Sequence, residues 1–483
     1  MQKNEKISRK QLRKMKRKAN RELYFCSACF VAVFGFLFYY LFGYVNSQQE
    51  ILFNNSYNSR QSVVAAQNTR GTIYSEDGYV LAQTVEKEEK DTRVYPYGNL
   101  FSHVVGYTDK GKTGIESIEN YWLTNTAVSE MTQAQNEADQ KKNPGNNVYS
   151  TLNTKLQQAA YDAMGMYQGA VVVTEVKTGR ILAMVSKPDY DPNQIAAIWD
   201  KVNEDTESAV LINRVTQGLY PPGSTFKIVT ALSYIQMHPD DWNSYHYQCN
   251  GVYQNGENKI QCYHGSVHNS VDMIRSFAKS CNCSFANIGM MTEKKQFRNT
   301  IDSLLFNQAL PIELPQQITS VALDQNSSAE AVIQTSIGQG QTQITPMLLN
   351  MITQAIANEG VVMEPILVDS IKSAEGKVLE TNDPRPYQEL MSKEEADILK
   401  QLMQEVVLSG TAKKLNGQSY TSAGKTGSAE FNKVKEDSHA WFTGFAPVED
   451  PQIAVTVIVE KIGSGGDYAV PLARRIFDAW FEK

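Results

Sequence analysis

Excess positive charge is missing from almost all of this 483-residue sequence. Residues 1–22 carry ten Lys/Arg and two Glu, so the rest of the chain holds a net charge of −14 behind the overall −6. An acidic body excludes nucleic acid and an anionic bilayer surface as broad-area partners, because both are polyanions that reward basic patches. Internal repeats and low-complexity tracts are also missing, so the chain is not a repeat array. Cysteines are few, and none beyond the first 45 residues stands in a C-x-x-C pair. A zinc site built from them with His264 and His268 is therefore not expected. No A-x-A cleavage site follows the first apolar run, in YVNSQQE, which argues against a removable signal peptide. With 42% hydrophobic and 20% charged residues the chain is no disordered protein, and its length suits two or three domains.

That apolar run is Leu23–Val45, 23 residues without a charge. As a helix it reaches about 34 Å, against a hydrocarbon core of about 30 Å. One retained transmembrane helix is expected, with the basic tail 1–22 in the cytoplasm and everything beyond Asn46 outside, by the positive-inside rule. Outside the membrane a disulfide can persist. Cys249 and Cys262 bracket CNGVYQNGENKIQC, a Gly/Asn-rich stretch able to close as a hairpin, and both a bridge and two free thiols are open readings. Cys281 and Cys283 would diverge on a helix and make a poor pair.

Residues 46–145 read as short strands and loops, with a hairpin in NTRGTIYSEDGYVLAQTV that turns at Glu76-Asp77-Gly78. The polar segment 132–147 reads as a linker or exposed loop, and the domain boundary is placed there, ahead of a domain over 146–483. A helix over LNTKLQQAAYDAMGMY and a hairpin of GAVVVTEV and RILAMVS around Lys177-Thr178-Gly179 come next. Residues 224–237 are apolar nearly all round, the mark of a buried helix entered sharply after Pro222-Gly223. Helices over 266–290 and 390–409, strands in AWFTGFAP and QIAVTVIVEK, and a last amphipathic helix complete an α+β or α/β pattern.

Three short motifs carry the polar groups that chemistry needs. Ser224 and Lys227 are three apart at a helix start, so the amine reaches the hydroxyl. A lysine enclosed by Phe226, Ile228 and Val229 loses charge by desolvation and can take a proton from serine. Ser280-Cys281-Asn282 offers a second hydroxyl to pass a proton and an amide to hold a peptide group. Other S-x-x-K pairs, at Ser276/Lys279 and Ser422/Lys425, and another S-x-N, at Ser56-Tyr57-Asn58, show how little each pattern says alone. Lys-Thr-Gly occurs at 112–114, 177–179 and 425–427, and only the last continues with a hydroxyl residue. In TSAGKTGSAEF, Gly424 and Gly427 would let a substrate lie along the strand. Lys425 supplies a cation, and Thr426 and Ser428 can hydrogen-bond a carboxylate on a peptide added at a sheet edge.

The ordered set PPGSTFK, KSCN and AGKTGSA resembles the active-site signature of penicillin-binding proteins and serine β-lactamases. RGTIYSEDGYVLA, GAVVVTEVKTGRILAMVSKPDYDPN, SIGQGQTQITPMLL and HAWFTGFAP are similar to class B penicillin-binding proteins in particular. The resemblance implies an α+β serine acyl-transferase fold, an antiparallel sheet packed with helices, behind a membrane anchor and a β-rich membrane-proximal pedestal or dimerisation domain. It implies Ser224 as acylated nucleophile, Lys227 as its base, Ser280 as proton relay and Lys425 as the cation beside them. Asn282, Thr426, Gly427 and Ser428 would bind substrate, with the N–H groups of Ser224 and Ser428 as oxyanion hole. The reaction implied is D,D-transpeptidation of D-alanyl-D-alanine stem peptides, inhibited by β-lactams, with no metal or organic cofactor. No glycosyltransferase region and no carboxy-terminal repeat modules are recognised, so a separate, multi-spanning glycan polymerase is the expected partner. A class D β-lactamase shares STFK and KTG but typically has an aliphatic residue where Asn282 stands. A β-lactam sensor would need a signalling module that 22 cytoplasmic residues cannot supply.

Overall fold

The computed structural model describes residues 8–54, 58, 60–86, 91–205, 207–430 and 438–482, in two compact units, 1–66 and 67–483. The first two residues of Ser56-Tyr57-Asn58 therefore lie outside the described residues. In the first unit one helix runs over Arg9–Ser47, opened by a capping box between Ser8 and Gln11. None of its residues is buried, and its apolar stretch is long enough to cross a membrane.

The second unit is organised by a five-stranded antiparallel sheet in the order Ala423–Glu430, Ser438–Ala446, Ile453–Val459, Gly169–Glu175, Ile181–Lys187. Its inner strands are buried on both faces, which is why Gly169–Glu175 and Ile453–Val459 read as runs of mostly Val, Ile and Ala rather than alternating. Helices Thr154–Met164 and Ala469–Phe481 pack together beside the sheet, and Pro346–Ala357 packs against its central strands. Pro346–Ala357 is buried along its whole length and starts on a Thr345 cap with Pro at its first turn. Asn350 on this helix answers the polar groups it meets: Nδ2 donates to Ala454 O at 3.2 Å, and Oδ1 accepts from Thr174 Oγ1 at 2.7 Å. The buried helix expected over 224–237 is present as a turn of 3₁₀ helix, Gly223–Phe226, running into Lys227–Met237.

A second, six-stranded sheet joins the amino-terminal part to the rest. Its order is Val378–Thr381, Val368–Lys372, Asn147–Ser150, Ile73–Tyr74, Val80–Val85, Thr92–Val94. The hairpin read at Glu76-Asp77-Gly78 is there, with Gly78 at φ +84. Two other readings change. Residues 132–147 are not a linker: Ser129 caps a helix over Glu130–Ala138, and Asn147–Ser150 is an inner strand of this sheet. A solvent-facing polar helix and a loop have the same composition, which is why polarity misled. Residues 266–290 are not one helix but a strand, Asn269–Asp272, and two helices, Met273–Ala278 and Asn282–Met291, broken where Ser280 takes φ +57.

Next to the six-stranded sheet the Glu116 carboxylate, fully buried, is clamped by two guanidiniums, Arg70 Nε and Arg93 Nε, each at 2.6 Å. Burial pushes this carboxyl up, and the two cations together more than reverse it, leaving its pKa below the ordinary range. Arg70 also donates to Asn120 and Arg93 to Gly71 O, so one carboxylate ties three segments of the pedestal. Glu116→Ala strands two buried cations, and urea unfolding of the full-length protein in detergent is expected to show a loss of about 3–5 kcal/mol. A loss below about 1 kcal/mol would mean that water, not the carboxylate, satisfies the guanidiniums.

Candidate active site

The turn that carries Ser224 is pressed between a strand and a loop by three glycines. Gly223 stands at φ +53, and its N–H donates to Gly338 O at 2.9 Å. Gly338 stands at φ +72, and a Cβ on it would lie 2.0 Å from Gly223 O. Across the turn, a Cβ on Gly427 would lie 2.9 Å from Pro222 O and 3.1 Å from Thr225 Cγ2. Gly427 is thus spaced for packing against this turn, and Gly424 faces the Phe442 ring in the same way. The space a side chain would take at either glycine is filled by protein, so packing gives a reason for them besides the one read from sequence.

Ser224, at this turn, has the Lys227 amine 3.0 Å from its Oγ. Lys227 is fully buried, and its Nζ also meets Ser280 O at 2.7 Å, Ser280 Oγ at 3.1 Å and Asn282 Oδ1 at 2.7 Å. The left-handed backbone at Ser280 is what lets residues 280 and 282 both face this amine while Cys281 turns away into a cluster of sulfurs. Asn282 Nδ2 donates to Gln261 O at 3.1 Å, which fixes the amide so that its oxygen points at Lys227. Lys425 comes from the edge strand Ala423–Glu430, and its Nζ lies 3.0 Å from Ser280 Oγ. Ser280 Oγ is therefore shared by two amines. Burial lowers the Lys227 pKa to about 8, and burial with the neighbouring Lys227 charge holds Lys425 well below the ordinary lysine range.

A cleft of about 760 Å³ opens over this group, lined by Ser224, Ser280, Asn282, Thr426 and Ser428 among others. Thr426 Oγ1 pairs with Thr411 Oγ1 at 2.5 Å, and Ser428 Oγ accepts from Gly465 N at 3.3 Å. The sequence reading missed Thr411, which lines the cleft from a loop with no pattern of its own. Of the residues it named, Ser224, Lys227, Ser280, Asn282 and Lys425 form one hydrogen-bonded group. Thr426 and Ser428 line the cleft, and Gly427 serves packing. The S-x-x-K pair at 276, Ser422 of the pair it makes with Lys425, and the K-T-G copies at 112 and 177 take no part in this group.

A serine at the cleft backed by a buried lysine, with a second serine and a lysine-bearing edge strand, defines a serine acyl-transferase site. The comparisons agree. The family described as penicillin binding protein transpeptidase domain matches residues 169–478, and the penicillin binding protein A dimerisation domain matches residues 70–148. Peptidoglycan D,D-transpeptidase PbpA of Mycolicibacterium smegmatis is 31% identical over 441 residues, covering 84% of this chain and 87% of that one. A ceftriaxone acyl-enzyme structure of penicillin-binding protein A from Mycobacterium tuberculosis superposes with TM-score 0.79 at 27% identity, over 87% of this chain and 100% of that one. The D,D-transpeptidase domain of a peptidoglycan glycosyltransferase from Eggerthella lenta gives TM-score 0.77 at 31% identity, over 86% and 99%. The chain belongs to the penicillin-binding protein transpeptidase family, as a class B D,D-transpeptidase.

Gly338→Ala is expected to push the Gly223 carbonyl and displace Ser224. Labelling by a fluorescent penicillin should slow by about 10²-fold, since a shift near 1 Å at a reacting atom costs that much. Unchanged labelling would show that the turn moves without consequence.

Proposed function

We propose that this protein cross-links peptidoglycan stem peptides by acyl transfer through Ser224. The observation that carries the reading is the Lys227 amine, buried, 3.0 Å from Ser224 Oγ and held by Ser280 and Asn282. In its neutral form Lys227 takes the Ser224 proton as Oγ attacks the carbonyl between the two terminal D-alanines. The N–H groups of Ser224 and Ser428 face the resulting oxyanion, where one donor is worth about 3 kcal/mol. The proton passes through Ser280 Oγ to the departing D-alanine amine, and the peptide remains as an ester on Ser224. An acceptor amine then attacks that ester, gives its proton back along the same path, and leaves with the new peptide bond. Thr426 and Ser428 hold the terminal carboxylate on the edge strand, with the Lys425 charge behind them. Asn282 orients the donor peptide. β-Lactams enter as mimics of the same terminus and stop at the ester.

The cations ahead of the apolar helix support an anchor with its amino terminus in the cytoplasm and the catalytic unit outside. Along the chain, 1–22 serves as tail, 23–45 as span, 46–145 as pedestal and 146–483 as transpeptidase, with the strand at 147–150 locking the last two together. Glycan strands come from a multi-spanning polymerase that contacts the span and pedestal. Exchanging both for those of an unrelated single-pass protein should abolish co-purification with such a polymerase, and intact co-purification would contradict that partnership.

Intact mass of the full-length protein in detergent, followed over time with penicillin, should show one long-lived adduct that is lost in Ser224→Ala. Rapid loss of the adduct with consumption of drug would mark a β-lactamase instead. Absence of an adduct on folded wild-type protein would remove Ser224 from its role.

A further inference from the structure

We propose that Cys249, Cys262, Cys281 and His268 bind one zinc ion, which holds the Ser280–Asn282 turn from behind. The four ligand atoms lie within 4.8 Å of one another, and all three cysteines are buried. Cys249 and Cys262 sulfurs are 3.8 Å apart, Cys262 and Cys281 sulfurs 3.7 Å, and Cys249 Sγ is 3.5 Å from His268 Nδ1. A tetrahedron with zinc–sulfur bonds of about 2.3 Å and zinc–nitrogen bonds of about 2.0 Å has edges of about 3.8 and 3.5 Å. These three separations match those edges, and the other three lie within 4.8 Å. A disulfide needs about 2.05 Å, and none of these thiols is joined.

Cys283 is a fourth buried thiol, 3.3 Å from Cys262 Sγ. That separation is shorter than a tetrahedral edge, so Cys283 sits beside the ligand set, with its own S–H directed at Ile260 O. Thiolates with one imidazole are soft donors that suit zinc rather than magnesium or calcium. His264, the other histidine considered with these cysteines, is not in the set.

The ligands reach the site from four separate pieces of chain. Cys249 ends the strand His246–Cys249, and Cys262 follows the hairpin strand Asn258–Gln261. His268 precedes the strand Asn269–Asp272, and Cys281 caps the helix Asn282–Met291. A metal joining them would bind two hairpin elements to the S-x-N turn. Its reach into the active site is short: Ser280 and Asn282 flank a ligand, and Asn282 donates to Gln261 O, next to Cys262. The ion touches no substrate and takes no part in acyl transfer, so its role is positioning. That coupling rests on the roles of Ser280 and Asn282 proposed above, while the binding of metal does not.

The test uses the full-length protein purified in detergent without chelator or reductant. Elemental analysis after gel filtration should find about one zinc per chain. Cys249→Ser and His268→Ala should lose it, whereas Cys283→Ala and Ser224→Ala should keep it. Stripping zinc with phenanthroline should lower the melting temperature and slow penicillin acylation by about tenfold, both restored by zinc chloride. Protein that holds no zinc and takes up none, or whose mass after alkylation under denaturing conditions reports a Cys249–Cys262 disulfide, overturns the proposal. Zinc that survives His268→Ala but not Cys283→Ala overturns the ligand set. Zinc retained in Ser224→Ala while the adduct is lost separates the metal from the catalytic reading. If stripping leaves acylation unchanged although zinc is bound, the positioning role is refuted.

Discussion

A lysine amine sealed from water has to find every partner inside the protein, and Lys227 finds four oxygens on three residues. They are Ser224 one helical turn away and Ser280 and Asn282 from a turn more than fifty residues on. The remaining architecture is arranged around that constraint. The helix that carries Lys227 is buried throughout its first turns, the Ser280 backbone is left-handed so that two alternate side chains meet the amine, and the edge strand delivers Lys425 to the same hydroxyl. Two buried amines around one serine oxygen disfavour each other's charge. Burial makes neutral Lys227 available at a pH where a free lysine is almost wholly protonated, and at Lys425 burial and the Lys227 charge act together in the same direction.

The sheet and the glycines keep this group in register with the cleft. Gly223, Gly338 and Gly427 allow backbone contacts that a methyl group would block, so the nucleophile turn is wedged between a loop and the edge strand. Farther away the six-stranded sheet combines strands from residues 73–94 with strands from 147–150 and 368–381. The pedestal and the catalytic region therefore share backbone hydrogen bonds, and Glu116 with its two arginines keeps the pedestal side of that sheet rigid.

Much of this was legible because it depends on local pattern. Apolar runs located the Lys227 helix and the central strands, the Glu76-Asp77-Gly78 turn marked its hairpin, and the order of PPGSTFK, KSCN and AGKTGSA pointed to Ser224, Lys227, Ser280, Asn282 and Lys425, which the fold brings into one hydrogen-bonded group. What was not legible depends on distance through space. The helix at Glu130–Ala138 has the composition of a loop, and the break at Ser280 falls where the sequence has no Gly or Pro to mark it. Thr411 meets Thr426 only because the fold brings their loops together. Cys281 and Cys283, dismissed as a divergent pair, both meet Cys262 because the first caps a helix and is not inside it. No spacing rule contains that information.

The central claim is that Lys227, made neutral by burial, is the base for Ser224. The most direct test is the second-order rate of penicillin acylation of the wild-type protein as a function of pH. Protonated Lys227 cannot accept the Ser224 proton, so the rate should rise with pH through a midpoint at about 8 and then level off. A rate that is flat across that range, or that falls as pH rises through it, would contradict the account.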